Sequence, residues 1–274
     1  MLGKLLKNDF IGSAHAMLPV YLVALIAGAI TALSYIFNIK FLKFIGSFSL
    51  VILVFGLVII TIFVMMNYFN KSLYSDQGYL SYTLPVKSRD LLFSKATVSF
   101  VWLAISYLIL AGFVVGVLWY AKVKLNESLG GEIDEIINTI GSLVTTNGLP
   151  SVAAIAKIVA IVLLYGFVSI LILVSQVFFS MTLSNVRGFN KLGFFGGIII
   201  FAVLLVVMKI VSSLIMVYLP MSLFISGDGI KITLKSMADV SGTYGIGGFL
   251  FEAIASAGLL FATNHLMSKK INLR

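Results

Sequence analysis

Residues 158–186 read IVAIVLLYGFVSILILVSQVFFSMTLSNV and contain no Asp, Glu, Lys, Arg or His. The hydrocarbon core of a bilayer is about 30 Å thick and needs about 20 apolar residues as a helix, so this stretch alone is span-length. The runs 18–39, 44–70 and 96–121 are equally free of charge. Two more are each broken by a single charge, 192–218 by Lys209 and 245–267 by Glu252. Helices satisfy their own backbone hydrogen bonds in lipid, which favours reading all six runs as helices.

Composition agrees. Apolar residues make up 60% of the 274 and charged residues 11%, against about 25% charge in a soluble domain. Mean hydropathy is +1.12. So little charge cannot solvate a globule, and the chain is too apolar to be disordered. The expected fold class is all-α: a polytopic membrane protein with six transmembrane helices and an N-terminal amphipathic interfacial helix. The expected domain is single. It has an interfacial helix at 1–16 and spans at about 18–39, 44–69, 96–120, 158–184, 192–218 and 246–267. A cytoplasmic loop at 71–95 and outer loops at 122–156 and 219–244 connect them. No cleavable signal peptide is expected, because the start MLGKLLKNDF is polar.

An even number of spans puts both termini on one side. With the N-terminus inside, inner segments carry eleven Lys and Arg and outer loops seven, the asymmetry of a multi-pass protein with cytoplasmic termini. The net charge of +9 is therefore read as topology and as affinity for anionic headgroups, not as a nucleic-acid patch.

The motifs of a motor or hydrolase are missing from the sequence. Gly3-Lys4 is followed by Leu5 and makes no P-loop, and Ser128-Leu-Gly-Gly-Glu132 stands without a Walker motif. Two histidines, His15 and His265, and no cysteine offer little for a metal site. The chain is expected to be non-catalytic, to bind no cofactor, and to draw on an ion gradient or a separate ATPase.

Segment 71–95 carries the most information. Ser75 and Asp76 can open a short helix, and Pro85 turns the chain. Ser88, with Asp90 after it, can start the next helix. Tyr79, Leu80, Tyr82, Thr83 and Leu84 would then lie at the water boundary. They read either as an interfacial aromatic belt or as a knob for a cytoplasmic partner. The pattern Gly78-Tyr79-Leu80-x-x-Thr83-Leu84-Pro85-Val86, followed by Leu91-Leu92-x-Ser94-Lys95, resembles the cytoplasmic loop of second-type ATP-binding-cassette (ABC) export permeases. Small bacterial antimicrobial- and toxin-peptide exporters have permeases of about this length. The resemblance implies six spans and a partnership with two cytoplasmic ABC ATPase subunits, which hold the ATP and Mg2+. It also implies a second permease copy, most simply a homodimer, in the bacterial plasma membrane. Asp76, Gly78, Tyr79, Leu80, Tyr82, Thr83, Leu84 and Pro85 would form the coupling helix, and Asn185 and Arg187 a second contact. Hydrophobic or amphipathic cargo, peptides first, would be exported.

On a helical wheel, residues 2–17 split into an arc of Lys4, Lys7, Asn8 and His15 and an arc of Leu2, Leu5, Leu6, Phe10 and Met17. Ile11 and Asp9 intrude on them respectively. The pattern suits a helix in the headgroup plane, anchored by Lys4, Lys7 and Phe10, and equally an extension of the first span. Pro19 favours a bend between the two. At about 1.5 Å per residue, Lys209 lies roughly 24 Å from the start of the fifth span and Glu252 roughly 22 Å from the end of the sixth. The match permits an intramembrane ion pair. The resemblance also implies short helices between the fifth and sixth spans that dip into the outer leaflet, and residues 219–226 are apolar enough for this; the acidic run 132–136 reads as a further short helix. Two alternatives to the exporter are a secondary carrier working through Lys209 and Glu252, and a membrane scaffold or immunity protein.

Overall fold

The structure, a computed structural model, describes residues 2–37, 40–74, 78, 88–124, 152–186, 193–219, 222–226, 229–233 and 243–269. The long helices among them are α1 (Leu2–Ile36), α2 (Lys40–Tyr74), α3 (Ser88–Lys124), α4 (Val152–Ser184), α5 (Gly193–Tyr218) and α6 (Gly247–Lys269). Among the described residues, six helices are long and apolar enough to cross a membrane. This is the architecture of a multi-pass membrane protein. Gly193 opens α5 at φ +55°, a backbone that suits glycine.

The N-terminus differs from the separate interfacial helix expected over 1–16. Residues 2–16 are the first turns of α1, which continues through Pro19. The physical reason is a buried stripe that ignores the proline. Asp9, Ser13, Met17, Tyr21 and Ala24 are all under 9% exposed and recur every three or four residues on one face. That face packs on protein, while Lys4 and Lys7 stay exposed.

Between α5 and α6 lies a small antiparallel sheet in place of the expected dipping helix. It comprises β1 (Ser222–Ser226), β2 (Gly229–Thr233) and β3 (Thr243–Gly245), in the order β2-β1-β3. Ser222 pairs with Thr233 and Ser226 with Gly229, and Ser222 also faces Gly245. The sequence accounts for it: Phe224 and Ile225 in one strand and Ile230, Ile232 and Thr233 in the other are aromatic or β-branched. They flank Gly227-Asp228, a pair that two-residue hairpins favour. The acidic run 132–136 lies outside the described residues.

The chain divides into two compact units, residues 1–114, 177–201 and 260–274 in the first and 115–176 and 202–259 in the second. In the first, α1, α2 and α3 meet at a hydroxyl node. Tyr21 Oη donates to the Trp102 carbonyl at 2.7 Å and lies 2.9 Å from Ser106 Oγ, which is 3.0 Å from Thr61 Oγ1. Packing is inverted relative to a soluble protein. Thr61, Ser106, Ser180 and Thr182 are fully buried, while Leu22, Val23 and Leu25 on α1 are more than half exposed. Apolar side chains gain nothing by leaving lipid, so close packing and interhelical hydrogen bonds must hold the helices together.

Gly28 shows how close that packing is: a Cβ there would run into the Phe113 ring. We expect Gly28→Val to destabilise the protein by about 1–3 kcal/mol through overpacking, read as a lower unfolding midpoint in detergent. An unchanged midpoint would show that α1 and α3 can separate at this point without cost.

Candidate functional site

Among the described residues, a dense polar cluster joins the N-terminal turns of α1 to the start of α3. Asp9 is 5% exposed. Its Oδ1 accepts from Lys95 Nζ at 2.9 Å and its Oδ2 accepts from Ser94 Oγ at 2.6 Å, so both oxygens are satisfied. Tyr68 of α2 donates to the Asp9 carbonyl at 3.2 Å, and its ring lies 5.3 Å from the Lys95 ammonium, within cation–π range. One turn along α1, Ser13 Oγ donates to the same carbonyl at 2.8 Å and accepts from Trp102 Nε1 at 2.9 Å. Phe10 stacks on Trp102 at 4.8 Å between centroids. Three helices thus converge on Asp9, and Lys95 reaches it from seven residues after Ser88, the first residue of α3.

This clamp was not foreseen from the sequence, where Lys95 counted as a loop residue and Asp9 as an intruder on an apolar arc. Two signals were present. Asp9 and Ser13 sit one turn apart on the face that continues as Met17 and Tyr21, and an uncompensated aspartate on a buried face needs a cation.

Of the expected coupling residues, Gly78 is described: a Cβ there would collide with the Leu73 carbonyl. Asp76, Tyr79, Leu80, Tyr82, Thr83, Leu84 and Pro85 lie outside the described residues, as does Arg187. The helices bounding the segment are described, α2 to Tyr74 and α3 from Ser88.

The ends of α2 and α4 are tied together. Phe69 stacks on Phe178 at 4.1 Å, Tyr74 Oη lies 2.8 Å from Thr182 Oγ1, and Asn185 Nδ2 donates to Asn70 Oδ1 at 3.3 Å. Asn185, read as part of a second contact, therefore stands beside the helix that leads into segment 75–87.

In the second unit, Lys209 Nζ donates to Glu252 Oε1 at 2.7 Å, and Ser212 Oγ donates to the same oxygen at 3.1 Å. The ion pair that the sequence permitted is present. Glycines allow the approach of α6 to α5: a Cβ at Gly248 would meet the Ser212 carbonyl at 3.0 Å. His265 is exposed near the end of α6. Among the described residues, no cluster of three or more His, Asp or Glu could hold a metal ion.

Comparison of the chain with protein-family models, with curated proteins and with solved structures found no match.

Removing one member of a buried ion pair strands the other charge, which typically costs about 3–5 kcal/mol, whereas removing both costs less. We expect Asp9→Asn and Lys95→Met each to destabilise the protein strongly, and the double variant to recover part of the loss. Denaturant unfolding in detergent measures this. Strictly additive effects would mean that the two charges do not interact.

Proposed function

We propose that this chain is the permease subunit of an ATP-driven ABC exporter in the bacterial plasma membrane, with both termini cytoplasmic. It moves hydrophobic or amphipathic cargo, peptides first, out of the cell. Two cytoplasmic ATPase subunits hold the ATP and Mg2+ and hydrolyse the nucleotide, and a second copy of the permease completes the path.

The observation that carries this reading is how the segment 75–87 is mounted. Both helices that bound it are braced in the same unit. α2 is tied to α4 through Phe69, Asn70 and Tyr74. α3 is tied to α1 through Ser94, Lys95 and Trp102. A segment held this way acts as a lever: force on Tyr79, Leu80 or Leu84 passes into α1, α2, α3 and α4 instead of bending one helix. Asn185, beside Asn70, gives the lever a second bearing. The six apolar helices and the likeness of 78–95 to the loop of export permeases support the same reading. ATP binding would close the ATPases, and the closed pair must contact the knob differently from the open pair for the membrane helices to shift.

A second reading has one observation in its favour. The Lys209–Glu252 pair is what a gradient-driven carrier would use, and it requires flux in liposomes that hold this chain and no ATPase.

We expect Tyr79→Asp, Leu80→Asp and Leu84→Asp each to weaken ATPase association by roughly thirtyfold, about 2 kcal/mol, as for an interface hot spot. Transport should be lost while the unfolding midpoint of the membrane chain is kept. Co-purification with an ATPase of the host and cargo-stimulated hydrolysis measure both. Normal association and transport in all three variants would refute the docking assignment.

A further inference from the structure

The ion pair between α5 and α6 leaves one atom unanswered. Glu252 is 4% exposed, yet Lys209 and Ser212 both donate to its Oε1. Oε2 is equally buried and accepts no hydrogen bond among the described residues. Leaving a buried carboxylate oxygen without a donor is a larger loss than one ordinary hydrogen bond is a gain. The Lys209 side chain, by contrast, is 53% exposed. Around it the surface of α5 is apolar, with Val206 55% and Ile210 53% exposed. A buried acceptor thus stands behind an ammonium that is reachable from an apolar face. Glu252 is also the one acidic residue among the described residues of its unit.

We propose that Glu252 is the recognition carboxylate for a primary ammonium group carried by an amphipathic molecule. Lys209 is the tethered ammonium that occupies the carboxylate until such a group displaces it. An ammonium brings three donors and a charge opposite to that of Glu252, which answers Oε2 and replaces the bond lost at Oε1. The apolar approach along α5 selects a group attached to a hydrophobic tail. The close contact of Gly248 with Ser212 holds α6 against α5, so the carboxylate keeps its place when Lys209 leaves. The inference deepens the exporter reading by naming a cargo chemistry and rests on that reading for its biological role. The binding site itself is tested on the chain alone.

The purified full chain in detergent is titrated with dodecylammonium, and with dodecanol as the uncharged control, while its thermal unfolding is followed. Wild type should show a saturable rise with dodecylammonium and none with dodecanol. Glu252→Gln should bind at least roughly tenfold more weakly, the worth of one charge-assisted hydrogen bond. Lys209→Met, which removes the tethered competitor, should bind more tightly. Because Glu252→Gln strands Lys209, the Lys209→Met/Glu252→Gln variant serves as a second check and should not respond. Lysophosphatidylethanolamine separates the sources: a response to it as well assigns a lipid headgroup, and a response to dodecylammonium alone assigns a non-lipid amphiphile. An equal response to dodecanol, wild-type affinity in either Glu252 variant, or weaker binding in Lys209→Met would overturn the proposal. Failure here with ATPase association intact removes the ligand assignment alone. Failure of ATPase association with binding intact removes the exporter and leaves the site.

Discussion

Asp9 carries a charge on a helix face that the rest of the chain buries, and its carboxylate can stay there because α3 supplies a donor to each oxygen. An ionised group taken from water without partners costs far more than folding can spare. The position of α1 against α3 is thereby dictated to within hydrogen-bond tolerance: Lys95 must reach Oδ1 while Ser94 reaches Oδ2. Tyr68 brings α2 to the same point. A buried pair of this kind is weak evidence for net stability against an apolar replacement, and its clearer effect is to penalise every arrangement that separates the partners. Register among the first three helices follows from that penalty.

The remaining packing obeys the same economy. Lipid gives apolar side chains no reason to hide, so Leu and Val cover the outside and hydroxyls fill the seams. Tyr21, Thr61 and Ser106 repeat at mid-helix, without charge, what Asp9, Ser94 and Lys95 do near the helix ends. Thr31 and Ser49, 2.8 Å apart, do so again between α1 and α2. Small residues let the backbones approach, as Gly28 does under Phe113. These contacts are specific in geometry, each fixing one helix against its neighbour.

The six helices were legible because span-length apolar runs have few other physical outcomes, and the charges that interrupt them are few. The ion pair of α5 and α6 was legible in outline for the same reason: two charges at matching depths have little else to pair with. The continuity of α1 through Pro19 stood as one of two open readings, because a helical wheel ranks residues by hydropathy and does not show that Asp9 and Ser13 share a buried face with Met17 and Tyr21. The clamp at Asp9 was hidden because the donors to its carboxylate, Ser94 and Lys95, lie 85 and 86 residues away in sequence. The hairpin after α5 was hidden by its apolar composition, which serves a dipping helix and a strand alike until the alternation around Gly227-Asp228 is weighed.

The side of the membrane on which segment 75–87 lies tests the account most directly. The chain has no cysteine, so Tyr79→Cys introduces a single reporter for a membrane-impermeant maleimide. The account predicts labelling in inverted membrane vesicles and none in intact cells. Labelling of intact cells would place the knob outside, out of reach of any cytoplasmic ATPase, and would contradict it.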